Sequence, residues 1–225
     1  MSYLHILSED KNDDVFYQNC LNKITGKSFE IISTHPEKMS GISLVRSFLP
    51  SFLKNIQRTG SIGGQSYFLV AVDNDRSPIH PLHSKRADFS KLPKSDQKKT
   101  CRQCEIERVV SSVLGSDRNE WPVKGAIAIS VEMMESWQLL ICNSATFRNE
   151  RNLPIFPDKN ARAAKTYYTS QNAPNQLKDL VRQERRKLNM SSQEFCRYCA
   201  QQLNVNDLKA RSRSFTQLSE QVADW

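Results

Sequence analysis

Acidic residues cluster where apolar, strand-like runs end. Glu9 follows YLHILS (3–8), Asp73 closes SYFLVAVD (66–73) with Asp75 two residues on, and Glu132 and Glu135 lie at and just past the end of GAIAISVE (125–132). In an open parallel α/β sheet the carboxyl ends of the strands share one crevice. Acids far apart in sequence are therefore expected to meet there, and a D-x-D at a strand end sends both side chains to the same side. Carboxylates held together repel, and without a counter-ion some must keep their protons. A hard divalent cation resolves this, since Mg²⁺ takes a few carboxylates together with water and phosphate oxygens. The alternative is that strand-end acids only cap the helices that follow. That alternative is preferred for Asp10 and Asp14, and Asp13 stays open between the two.

A second set of residues has the donor types of a zinc site. His80-x-x-His83 is followed by Cys101-x-x-Cys104. Imidazole and thiolate pairs separated by a loop make a common tetrahedral Zn²⁺ site. Cys104 stands at the start of an expected helix, where partial positive charge favours thiolate. A competing assignment joins Cys101 and Cys104 to Cys196-x-x-Cys199. Cys196 and Cys199, however, fall on the apolar stripe of an expected helix, where cysteine is often a small core residue. Cys20 and Trp137 are read as core, and His5 as structural.

The charge balance points the same way as the acids. With 32 Lys+Arg against 24 Asp+Glu the chain carries +8, which suits a polyanion such as nucleic acid. Between residues 76 and 108, Arg76, Lys85, Arg86, Lys91, Lys94, Lys98, Lys99, Arg102 and Arg108 face only four acids. This run directly follows the D-x-D, and Arg76, Lys91, Lys94, Lys98 and Lys99 are the expected phosphate contacts. A later run, Arg182, Arg185, Arg186 and Lys187, is read as a solvated helix face.

The elements that must position these groups follow from periodicity. Strands are expected at 3–8, 29–33, 66–73 and 125–132. Helices are expected at 15–24, stopped by Gly26, at 41–56, from Cys104 to Gly115, and over MMESWQLLI. Pro50 should distort the second helix. Strands alternating with helices predict an α/β domain with a mainly parallel sheet. Residues 76–104 read as a basic insertion held by zinc, within a domain spanning 1–150. Residues 151–225 read as a mainly helical extension, with a capping box at Ser191 and Glu194. No run of about 18 apolar residues occurs, so no membrane span is expected. Without a recognisable secretory leader, a cytoplasmic protein is expected.

On these residues the chain resembles a known family. S-E-D-K-N-D after the first strand is similar to the E-G-x-x-D opening of the Toprim domain, with Asp10 in place of the Gly. V-A-V-D-N-D resembles that domain's D-x-D strand. V-E-M-M-E-S-W-Q-L-L resembles a helix of small standalone Toprim-like proteins of bacterial defence, relatives of the overcoming-lysogenization-defect nucleases. The resemblance covers roughly residues 1–145. It implies a Toprim-like fold and a nuclease that uses Mg²⁺ or Mn²⁺ to cleave DNA or RNA. Glu9 would be a metal ligand or general base, Asp73 and Asp75 ligands, and Glu132 and Glu135 further metal-binding acids. Relatives of this type act with an ATPase, and this chain has no G-x-x-x-x-G-K-[ST] loop, so a separate ATPase subunit is expected. The rival class is a non-enzymatic, zinc-containing nucleic-acid-binding or assembly protein whose acids are structural.

Overall fold

A computed structural model describes residues 2–33, 40–59, 65–74, 100–130, 134–141 and 173–225. β1 (Ser2–Leu7), β2 (Phe29–Ser33), β3 (Gln65–Asp73) and β4 (Lys124–Ser130) form one sheet in the order β2-β1-β3-β4, with every neighbouring pair parallel. Tyr67 to Val72 of β3 are buried without a break, as a central strand covered on both faces requires.

Side-chain alternation along the strands sends two sets of residues to two separate cores. On one face Leu4, Ile6, Leu69, Ala71, Ala126 and Ala128 meet Phe16, Tyr17, Cys20 and Leu21 of α1 (Lys11–Thr25). On the other, Leu7, Val70, Val72 and Ile127 meet α2 (Ile42–Thr59) and α3 (Arg102–Leu114). Asp10 caps α1 by accepting the Asn12 N–H at 2.8 Å, and Gly26, at φ 70°, ends it. α2 runs through Pro50 without ending. Pro50 is exposed, so the carbonyl that loses its N–H partner lies on the water side of the helix. Arg46 of α2 grips Glu105 of α3 with two hydrogen bonds of 2.6 and 2.8 Å, fixing the start of α3. Gly125 pairs with Phe68 across β3 and β4, and a Cβ there would sit 2.0 Å from the Phe68 ring.

The C-terminal helices complete the α1 face. A helix over residues 134–141 (α4) buries Trp137, whose ring packs against Phe16, Tyr17 and Phe215 and whose Nε1 donates to Ser214 at 3.0 Å. After α5 (Ala173–Lys187), α6 (Ser192–Gln202) lies along α1 and buries Phe195, Cys196 and Cys199. The expected capping box is present, with Ser191 and Glu194 bonded to each other's backbone N–H. α7 (Val205–Arg211) leads into α8 (Arg213–Gln221), which packs on β4. The Gln221 side chain accepts the Ile127 N–H at 3.0 Å and donates to the Ile127 carbonyl at 2.9 Å. Among the described residues, no helix is long and apolar enough to cross a membrane.

Candidate functional site

β1 connects to β2 across one face, through α1, and β2 connects to β3 across the other, through α2. The winding direction therefore reverses at β1 and β3, and open α/β sheets bind ligands in the crevice at such a point. Glu9 leaves β1 there and Asp73 closes β3 beside it. The Asp73 N–H donates to Glu9 Oε1 at 3.0 Å. Two acids 64 positions apart thus meet because their strands are register neighbours, with Leu7 opposite Val70.

Each carboxylate is held by groups that fix its orientation. Asp73 Oδ1 accepts the Ser130 hydroxyl at 2.7 Å and the Met134 N–H at 2.9 Å. The end of β4 and the start of α4 thereby aim one acid. Arg102, the first residue of α3, donates to the Asp73 carbonyl and to Glu9 Oε1, the latter at 3.3 Å. Its guanidinium is largely buried, as is Glu9. Gly41, at φ 78°, donates its N–H to the Glu9 carbonyl at 2.8 Å and turns the chain into α2.

The crevice opens into a cavity of about 560 Å³. Its floor carries Glu9, Asp10, Asp13, Asp73 and Glu135. Burial raises the Asp13 carboxyl well above the usual carboxylate range, and the charges of Asp73, Asp10, Glu135 and Glu9 raise it further. Burial likewise raises the Tyr17 phenol beneath this floor, with Asp73 and Asp13 adding to it. Tyr17 stays protonated and shares a hydrogen bond with Ser130. α5 contributes Lys178, Arg182 and Arg185 to the same lining.

Several sequence expectations meet this arrangement directly. Glu9 and Asp73 adjoin, and Glu135 and Asp13 line the same cavity. Asp10 caps α1. Asp14 is buried and accepts the Ser8 hydroxyl at 2.7 Å, so it braces the β1–α1 turn instead of facing the cleft. Asp75, Arg76, His80, His83, Lys91, Lys94, Lys98, Lys99 and Glu132 lie outside the described residues. In the run from 182 to 187, Arg182, Arg186 and Lys187 are exposed, as a solvated face requires, and Arg182 and Arg185 also line the cleft. Arg102, Ser130 and Lys178 are site residues that sequence reasoning missed. The spacing 178, 182, 185 puts three cations on one helix face, a signal that was available.

The carboxylate oxygens that line the cavity have the chemistry of a hard cation's ligands. Among the described residues, no three His, Cys, Asp or Glu side chains are grouped closely enough to hold a metal ion. Cys101 and Cys104 adjoin each other at the start of α3. Burial pushes the Cys101 thiol up to about 12. Cys196 and Cys199 are buried in the α1-face core, with the Gln138 amide donating to Cys196 Sγ at 3.3 Å. The four-cysteine assignment is therefore set aside: the two pairs do not form a metal-holding group.

Comparison of the chain with protein families, with curated proteins and with solved structures finds no match.

Proposed function

We propose that the chain is a Toprim-like nuclease that cleaves phosphodiester bonds with Mg²⁺ or Mn²⁺. One observation carries the proposal: Glu9 and Asp73 adjoin at the switch point of a parallel sheet, on the floor of an acid-rich cavity. The bound cation would be held by Glu9 and Asp73, with Glu135 beside them, and would supply activation of water and stabilisation of the leaving oxygen. The protein's own part is to fix the acids in advance. Arg102 and the Asp73 N–H hold Glu9, while Ser130 and the Met134 N–H hold Asp73. Burial and the charges of Asp73, Asp10, Glu135 and Glu9 hold the Asp13 carboxyl well above the usual carboxylate range.

The resemblance extends this proposal to Asp75 and Glu132 as further metal-binding acids. It also extends to a zinc site of His80, His83, Cys101 and Cys104 that pins the basic insertion. Arg76, Lys91, Lys94, Lys98 and Lys99 would contact nucleic acid, and an ATPase subunit would control cleavage in a defence setting. A second reading has support in the hydrogen bonding of Glu9 and Asp73, which would also suit purely structural acids in a non-enzymatic binding protein. Incubating purified protein with labelled DNA and RNA and Mg²⁺ or Mn²⁺ separates the two. Cleavage abolished by chelation and by Asp73→Asn is expected, and cleavage that survives Asp73→Asn would remove the nuclease assignment.

A further inference from the structure

The cavity that the acids line carries a second kind of chemistry. Lys178, Arg182 and Arg185 follow i, i+4, i+7 spacing, so their side chains share one face of α5, and all three line the cavity that holds Glu9 and Asp73. None of the ion pairs in the described residues ties them to the floor acids. Arg182 pairs with Asp179 of its own helix at 2.9 Å, and Arg185 donates to the Ser192 hydroxyl. Both partners are local and leave the guanidinium groups at the cavity wall. A cavity lined by both acids and cations suits a ligand that brings both a cation and phosphates. At about 560 Å³ the cavity is of small-ligand size, with room for a short stretch of one strand and not for a base-paired duplex.

We propose that Lys178, Arg182 and Arg185 hold the phosphates of a single nucleic-acid strand in the cavity that Glu9 and Asp73 also line. This inference rests on the nuclease reading and adds α5 to the phosphate contacts expected of the insertion. The test uses full-length Asp73→Asn protein and a fluorescein-labelled 20-mer, single-stranded or duplex, in anisotropy titrations at several salt concentrations. Changing Lys178, Arg182 and Arg185 together to Gln should weaken single-strand binding at least tenfold. It should also flatten the log–log salt slope by about 2, since each phosphate contact contributes roughly 0.7 for single strands. Arg182→Lys with Arg185→Lys should retain most of the binding, which separates lost charge from lost fold. An unchanged affinity and slope in the Gln variant would overturn the proposal. Duplex bound as tightly as single strand by the parent protein would overturn the single-strand assignment. Cleavage by the otherwise native chain, measured separately, reports on the nuclease reading whichever way binding falls.

Discussion

The two walls of the cleft are built on opposite principles. The floor is preorganised: Glu9 is 13% exposed, its partner Arg102 is 10% exposed, and each aims at a fixed hydrogen-bonding group on a strand end or helix start. The α5 wall is open to solvent, with the Arg182 side chain 60% exposed and, among the described residues, paired with Asp179 one turn away. Groups that must meet a reacting atom gain from such rigidity. Groups that attract a flexible polyanion act through charge and tolerate motion. The difference teaches that substitutions in the floor should change turnover, and substitutions in the wall should change binding.

The largest effect is expected at Asp73. Asp73→Asn keeps an acceptor for Ser130 and the Met134 N–H but removes the charge. It should lower kcat by roughly 10²–10³ with the melting temperature unchanged. The triple α5 Gln variant should instead raise KM and leave kcat near its starting value. Steady-state kinetics on both would break the comparison if the two patterns were exchanged.

Next comes Arg102. Arg102→Gln leaves a largely buried carboxylate without its cation, and unfolding in denaturant should show a loss of about 2–3 kcal/mol. Arg102→Lys should recover part of it. No loss would mean that the floor is not braced from α3.

Arg102 directly follows Cys101, so the brace begins at the proposed zinc turn. Elemental analysis should find about one zinc per chain, lost in Cys101→Ser with Cys104→Ser. Cys196→Ser should leave zinc in place and cost only about 1 kcal/mol, the expense of a buried hydroxyl.

The smallest effect is a pH dependence. The Asp13 carboxyl is raised on folding, so its favourable contribution is complete below the unfolded-state value and is lost as pH rises through the folded one. Asp13→Asn should therefore stabilise the metal-free protein near neutral pH, and the gain should vanish in acid. Thermal melts across pH 4–8 would show it, and a variant less stable at pH 7 would mean that the Asp13 charge is already compensated.

Much of this was readable in the sequence, for identifiable reasons. The runs at β3 and β4 are apolar enough to be buried strands, and the end of β3 puts Asp73 at the crevice. Asp10, Gly26 and Ser191 with Glu194 marked helix ends through local chemistry alone. Trp137 was assigned to the core and is fully buried. Other features depend on long-range packing that composition does not encode. Arg102 sits in a basic run and looks like its neighbours until α3 turns it inward. Asp14 reads as a surface cap until the Ser8 hydroxyl reaches it. α5 reads as a solvated helix because Glu9 and Asp73, which line the same cavity, lie more than a hundred residues away in sequence. Pro50 was expected to distort a helix that in fact continues, because burial of its apolar face holds it together.

The pairing of Gln221 with Ile127 reaches beyond local packing. A strand at the border of a sheet is a template onto which a second polypeptide can hydrogen-bond, and this is a common route to aggregation and strand exchange. On β4 that template is interrupted at its centre, because one side-chain amide takes both the N–H and the carbonyl of Ile127. The C-terminal helix thereby acts as a built-in blocker of strand addition along that border.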